Sequence, residues 1–191
     1  MSTAAWSPVS LAVVSAGVGH PRPTRLLADW VAEAVCRSLA AGGARAEVEV
    51  LELHRLTADL VQYSAQGRAS LDLREAIAAV VAADGLVVAT PVLTASPSEV
   101  LDSFLAALGD RLLSGVPVLL ALNSGSRRQP PNLAQVIRSC LTDVHADPVP
   151  TVVVACPADW RATAHGDAVR LRACIDQAAA ELAAAMRSHR Q

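Results

Sequence analysis

Residues Val9–Ser15, VSLAVVS, form an apolar run rich in β-branched residues, and the run ends at a loop of glycines and prolines. From about Thr24 to Ala41 the apolar residues recur every three or four positions, which is the spacing of a helix with one buried face. Gly42 and Gly43 end this segment as a helix C-cap does. A buried strand followed by such a helix is the repeating unit of a parallel sheet.

The same alternation continues along the rest of the chain. Further strands are predicted at Ala46–Leu53, Leu86–Thr90, Val116–Leu122 and Thr151–Ala155. Helices are predicted at about Leu71–Ala83, Asn132–Val144 and Ala168–Arg187. One more helix is predicted to begin at Pro97, because Ser96, Pro97 and Glu99 form a start signal. Residues 54–70 are polar and mixed, and we expect a long loop there.

These elements predict one α/β domain over residues 1–191. Strands one, three and four are apolar throughout, as strands with helices on both faces are. The second strand alternates valine with glutamate, which indicates an edge position. The pattern favours a flavodoxin-like three-layer sandwich with a five-stranded parallel sheet in the order 2-1-3-4-5.

Composition and charge exclude several classes of function. Hydrophobic residues make up 52% of the chain, which is typical of a globular protein. All 16 basic residues are arginine, so there is no lysine for a Schiff base, a pyridoxal phosphate linkage or a Walker A motif. The net charge of −2 and the scattered arginines give no nucleic-acid signature.

The termini and the cysteines predict a cytoplasmic protein. No basic region precedes the first apolar run and no apolar run reaches about 18 residues, so we expect neither a signal peptide nor a membrane span. The four cysteines form no CxxC motif and none lies near a histidine at metal-ligand spacing. We expect free buried thiols and no metal site.

Three loops follow strands one, three and four, and in this fold ligands bind beyond those strand ends. The first loop, SAGVGHPRPTR, places Thr24 and Arg25 at a helix N-terminus, which suits a phosphate. The alternatives are an ordinary loop that Thr24 caps and an Arg25 that pairs with Asp29. The second loop follows the Thr-Pro pair at residues 90–91, and the third, NSGSRRQPP, combines Gly125 with two arginines. Plain surface loops are the alternative for both.

Taken in order, three segments resemble the NAD(P)H-dependent FMN reductases of the flavodoxin-like fold. They are SxGxxxPxxTR after the first strand, DGLVVATPVLTASPSEVLDSFL, and LLSGVPVLLALNSGSRR. The later segment VPTVVVACPADW is similar to the reductases found beside luciferase-like monooxygenases. The resemblance spans about Val9 to Trp160. It implies hydride transfer from NADPH or NADH to FMN, with a luciferase-like monooxygenase as a partner that takes up reduced flavin. We expect a homodimer or homotetramer, with the apolar helix Val100–Leu108 as one candidate interface and the protein core as its alternative role.

The resemblance also implies which residues bind the flavin. The residues that match the phosphate loop are Ser15, Thr24 and Arg25, and His20 is a further candidate in that loop. Those that match the ribityl and ring contacts are Pro91, Val92, Leu93, Thr94, Ala95 and Ser96. Those along the other ring edge are Asn123, Ser124, Gly125 and Ser126, next to Arg127. No acid–base residue is expected, because in cofactor chemistry of this kind the protein supplies orientation and electrostatics.

Two other classes of function remain open on the sequence alone. A degenerate flavodoxin-like protein would bind a nucleotide or another subunit without turnover, and it is motivated by Leu93 and Glu99, which depart from the family pattern. A Rossmann dehydrogenase would need GxGxxG and an acid at the end of strand two. Glu52 could be that acid, but Arg22 stands where the third glycine would be.

Overall fold

The computed structural model describes residues 8–17, 23–92, 98–109, 112–125, 133–161 and 167–190. The strands are β1 Val9–Ser15, β2 Ala46–Glu52, β3 Gly85–Val92, β4 Pro117–Ser124, β5 Asp147–Pro148 and β6 Val153–Ala155. They form a parallel sheet in the order β2-β1-β3-β4, and both short strands β5 and β6 pair with β4. The predicted sheet order is confirmed.

Helices cover the sheet on both faces. They are α1 Pro23–Ala41, α2 Thr57–Gln66, α3 Leu71–Val81, α4 Glu99–Leu108, α5 Leu133–Asp143, α6 Pro157–Arg161 and α7 Asp167–His189. α1 and α7 pack on one face, while α2, α3, α4 and α5 pack on the other. No helix that the structure describes is long and apolar enough to cross a membrane.

Successive residues of β1 enter two different cores. Leu11 and Val13 pack against α1 and α7, while Ala12 and Val14 pack against the helices of the opposite face. All four are at most 1% exposed. Burial on both faces explains why the four residues between Ser10 and Ser15 are all apolar.

The helix considered as a dimer interface is part of the core. Leu101, Phe104, Leu105 and Leu108 of α4 are buried within the protomer, with exposures between 0% and 6%. Their packing partners include Leu120 of β4. The apolar face of α4 is therefore occupied by the chain itself.

Residues 54–70 contain helices, so the predicted long loop is wrong. A 3-10 helix spans Leu53–Leu56 and leads directly into α2, which ends at Gly67 with φ 68°. Leu53, Leu56 and Leu60 are buried at successive spacings of three and four residues. Only three leucines form this helical face among polar neighbours, and so the periodicity is too weak to identify in the sequence.

The predicted fifth strand is interrupted. Instead of one strand over 151–155, β5 and β6 lie along β4 with residues 149–152 between them. Arg138 of α5 donates to the carbonyl oxygens of Val149 at 3.0 Å and Pro150 at 2.8 Å. Glu181 of α7 accepts the Thr151 N–H at 2.8 Å and its hydroxyl at 2.7 Å. Side chains from two helices thus satisfy backbone groups that a continuous strand would pair, and proline cannot donate to a ladder.

The start of α4 also differs from the prediction. The helix begins at Glu99 with Ser98 in the N-cap position and with no side-chain capping bond, two residues after the predicted start. Ser96 and Pro97 lie outside the described residues. Glu99 and Asp102 occupy the first turn, where carboxylates complement the positive end of the helix dipole.

Candidate functional site

The carboxyl ends of three neighbouring strands place the predicted ligand residues side by side. Ser15 of β1 lies opposite Ala89 of β3, and Val92 of β3 lies opposite Ser124 of β4. Adjacent strands are about 4.8 Å apart, so groups from all three strands can contact one small ligand. The N–H of Ala16 donates to the Ala89 carbonyl at 2.8 Å and continues the pairing beyond the end of β1.

Buried hydroxyl groups gather at this edge of the sheet. Among the residues that the structure describes, the buried polar side chains are Ser15, Thr24, Thr90, Ser98 and Ser124, with exposures between 0% and 7%. Each lies at or next to the carboxyl end of β1, β3 or β4, or at the N-terminus of α1 or α4. Burying a hydroxyl costs free energy unless it is hydrogen-bonded. A cluster of buried hydroxyls at one edge of the sheet therefore indicates a candidate binding site.

Two residues from other segments, Asn123 and Gly17, lie close to Thr24. The Nδ2 of Asn123 donates to its Oγ1 at 3.3 Å, which connects the end of β4 to the first turn of α1. A Cβ on Gly17 would lie 2.7 Å from the Cβ of Thr24, so glycine is needed for the chain after β1 to pass this closely. A hydroxyl that accepts one hydrogen bond can still donate its own proton, here at a helix N-terminus that favours anions.

Arg25 is engaged by two carboxylates. Its Nε lies 2.9 Å from Asp29 Oδ1 and its Nη1 lies 3.1 Å from Glu52 Oε1. The Arg25–Asp29 pair weighed in the sequence is therefore present. Whether Arg25 also contacts a ligand stays a prediction.

Glu52 is the centre of a charged cluster at the end of β2. Besides Arg25 it binds Arg55, whose Nη2 lies 3.2 Å from Glu52 Oε1, and His54 Nδ1 lies 3.7 Å from Oε2. The Glu52 side chain is only 10% exposed. Glu52, the acid that would bind the ribose in a dehydrogenase, thus forms ion pairs with two arginines.

The remaining predicted site residues fall into two groups. Pro91, Val92 and Asn123 are half-buried at the strand ends, and Gly125 is exposed; apart from its two chain neighbours, no atom of the described residues lies within 4 Å of where its Cβ would be. The residues that lie outside the described part of the chain are His20, Leu93, Thr94, Ala95, Ser96, Ser126 and Arg127.

Sequence reasoning missed the contacts between distant segments. The Asn123–Thr24 hydrogen bond joins residues 99 positions apart, and Trp30 of α1 packs against Trp160 of α6 with ring centroids 5.2 Å apart. Arg172 of α7 lies 6.0 Å from the Trp30 ring centroid. None of these three contacts leaves a local pattern in the sequence.

The cysteines carry no sign of nucleophilic chemistry. All four are free thiols. Burial, with nearby carboxylates, raises the pKa of Cys36, Cys140 and Cys174 above the usual value. Since the thiolate is the reactive form, a raised pKa makes these side chains poor nucleophiles.

Comparison with known proteins identifies the family of this chain. Residues 9–161 match the family model of the NADPH-dependent FMN reductases. The chain belongs to this family. It is a flavin oxidoreductase, and its membership of this family supports FMN as the flavin.

Solved structures of related fold extend over almost the whole chain. An oxidoreductase from Corynebacterium diphtheriae is 34% identical, with a TM-score of 0.89 over 95% of this chain and 98% of that one. An NADH:FMN oxidoreductase in its apo form is 22% identical, with a TM-score of 0.74 over 90% and 88%. A WrbA-like flavodoxin from Agrobacterium tumefaciens is 20% identical, with a TM-score of 0.59 over 96% and 99%. Comparison with curated proteins gives no significant match.

The described part of the site fits FMN. The fully buried polar side chains at the strand ends are neutral hydroxyls, which can donate to phosphate and hydroxyl oxygens, and the nearby Glu52 carboxylate is balanced by Arg25 and Arg55. Thr24 stands at the helix N-terminus, where a phosphate is favoured. The open side of Gly125 leaves the backbone accessible to a flat ring.

Proposed function

We propose that this FMN reductase family member uses NADPH or NADH to reduce FMN at the carboxyl edge of the sheet and supplies the reduced flavin to a luciferase-like monooxygenase. The observation that carries the proposal is the group of buried hydroxyls around the Asn123–Thr24 bond, where β1, β3 and β4 end together. The sequence similarity to reductases found beside such monooxygenases supports the partner.

In this proposal, different residues bind the two ends of the ligand. Thr24 and Ser15 are buried near the N-terminus of α1, and we propose that they bind the phosphate with Arg25 as the nearby cation. Pro91 and Val92 pair with Asn123 and Ser124 of β4, and we propose that these strand ends, together with Gly125, contact the ring and the ribityl chain. FMN, when bound, is the two-electron acceptor. The chain itself orients the two nucleotides and needs no acid–base pair for this.

A flavin titration followed by a reductant tests the proposal. Purified protein should quench the fluorescence of added FMN, and NADPH or NADH added without oxygen should then remove the absorbance of the oxidised flavin. Comparing the two nucleotides at equal concentration gives the preference. No quenching at high protein concentration would contradict flavin binding, and quenching without loss of absorbance would support the reading without turnover.

We also propose that the protein is a homodimer or homotetramer. Because the apolar face of α4 is buried within the protomer, the interface must use other surfaces. Sedimentation at several protein concentrations gives the oligomeric state, and a monomer at micromolar concentration would contradict the proposal.

A further inference from the structure

Arg25 connects the phosphate end of the site to two carboxylates. It follows Thr24 directly in the first turn of α1, and its side chain is 31% exposed. Two of its three guanidinium nitrogens are already engaged, Nε by Asp29 and Nη1 by Glu52. A phosphate bound at the start of α1 therefore has to compete with these carboxylates for the same cation.

The two carboxylates are not equivalent. Glu52 is 10% exposed and Asp29 is 41% exposed. Solvent and salt screen an exposed pair more than a buried one, so Glu52 holds Arg25 more firmly. A single buried carboxylate would be left uncompensated if its arginine moved away, which is costly.

Arg55 offsets part of that cost, although its own side chain is 70% exposed. Its Nη2 contacts the same Oε1 of Glu52 at 3.2 Å, and His54 lies near the other oxygen at 3.7 Å. If Arg25 turns towards a phosphate, Glu52 keeps a cationic partner. The cluster thus allows Arg25 two positions, one on Glu52 and one on a ligand.

We propose that Glu52 is a positioning residue that limits the affinity of the site for the phosphate of FMN by holding Arg25. The inference rests on the proposed binding of FMN at this edge. It lowers the affinity for oxidised and reduced FMN alike, because part of the phosphate interaction is cancelled inside the protein, and so it also speeds the release of reduced flavin. A moderate affinity is what a protein that passes its reduced flavin to a partner requires.

The test compares FMN with riboflavin, which has the same ring and ribityl chain but no phosphate. Glu52→Gln keeps the shape of the side chain and removes its charge. We expect FMN to bind about fivefold more tightly, which corresponds to about 1 kcal/mol, the upper range for a partly exposed ion pair. Riboflavin affinity should not change. In stopped-flow experiments FMN should leave the variant more slowly by a similar factor.

Glu33→Gln is the matched control. Glu33 is an exposed carboxylate on α1, one turn beyond Asp29, and its loss changes the net charge by the same amount. This variant should bind FMN as the original protein does. Equal tightening in both variants would show a general charge effect and overturn the role of Glu52.

The double variant Arg25→Ala/Glu52→Gln identifies the route of the effect. If Glu52 acts through Arg25, the Glu52 substitution changes FMN affinity only when Arg25 is present. Tightening that persists without Arg25 would overturn the inference, as would a Glu52→Gln protein with unchanged FMN affinity. If Glu52→Gln does not fold, Asp29→Asn makes the same comparison at the exposed carboxylate, with a smaller tightening expected. An original protein that binds no FMN would instead contradict the proposed function itself.

Discussion

At the scale of single residues, Arg25 separates a phosphate contact from general damage to the site. Arg25→Ala should weaken FMN binding about tenfold, since a charge-assisted hydrogen bond contributes roughly 1.5–3 kcal/mol and the carboxylates offset part of it. Riboflavin should bind as before. Isothermal titration with both flavins measures the contrast.

Arg37→Ala is the control for Arg25. Arg37 also lies on α1 and pairs with Asp176, with both side chains 63% exposed. Its loss should leave both flavins unaffected. Equal losses for FMN and riboflavin in Arg25→Ala would show that the loop, and not a phosphate contact, had been disturbed.

Gly125 tests the third loop without disturbing the fold. Chain neighbours aside, a Cβ at this position would meet no atom within 4 Å in the part of the chain that the structure describes, and the residue is exposed. Gly125→Val should therefore leave the melting temperature unchanged while it weakens flavin binding, because a β-branched side chain blocks close approach of the backbone. Gly125→Ala should show a smaller loss. Unchanged flavin affinity in the valine variant would place this loop away from the ring.

A site residue can be predicted from the sequence when the residues that indicate its role are close to it in the chain. Thr24 stands at the end of a glycine–proline loop and at the start of a helix, so its place in the site is evident from its neighbours. The orientation of Arg25 is not, because Glu52 comes 27 positions later and meets Arg25 only once β2 lies beside β1. The Asn123–Thr24 bond depends in the same way on sheet order.

At the scale of elements, the predicted strands and helices depend on the strength of each apolar pattern. The fully apolar runs of β1, β3 and β4 are predicted within a few residues of their ends. α2 is not predictable from its periodicity, because Leu60 is its one buried residue. The break between β5 and β6 could not be foreseen, since Arg138 and Glu181 replace its backbone pairing from helices on opposite faces of the sheet.

Glu181 makes the interrupted edge strand sensitive to pH. Burial raises its pKa, but the hydrogen bonds from Thr151, with smaller effects of Gln177 and Arg138, outweigh this and leave the pKa below the usual value. A carboxylate with a lowered pKa stabilises the fold above its unfolded value of about 4.3, and this contribution is lost as the pH falls through the folded pKa. Glu181→Gln should thus lower the unfolding free energy near pH 7, by less than about 1 kcal/mol because solvent screens a carboxylate this close to the surface.

Urea unfolding across pH checks the sign. The gap between the original protein and Glu181→Gln should close as the pH falls below about 4. Glu75→Gln, at an exposed position of α3, should change the unfolding free energy by less than about 0.5 kcal/mol at any pH. A gap that is constant with pH would mean that the charge of Glu181 contributes nothing.

At the scale of the whole molecule, the central strands of the sheet contribute to both cores. Alternating residues of β1 and β3 enter opposite cores, so these strands contact both layers of helices. Gly85 of β3 shows how closely the layers fit, since a Cβ there would lie 2.5 Å from Met186 Cγ of α7. The proposed ligand site lies at the carboxyl ends of these strands, next to both cores. Flavin binding should therefore stabilise the complete fold and not one loop.

Thermal unfolding with and without flavin tests this coupling. At a free FMN concentration about 100-fold above Kd, binding to the folded state adds about 2.7 kcal/mol. For a domain of this size each kcal/mol raises Tm by about 2–4 °C, so FMN should raise Tm by about 5–10 °C. The unfolding should stay a single transition when it is followed by circular dichroism and by tryptophan fluorescence, since Trp30 and Trp160 report on the face of α1 and α7. In Gly125→Val the shift at the same FMN concentration should shrink, because the added flavin then exceeds Kd by a smaller factor. A shift seen by one probe and not by the other would show that FMN stabilises only part of the molecule.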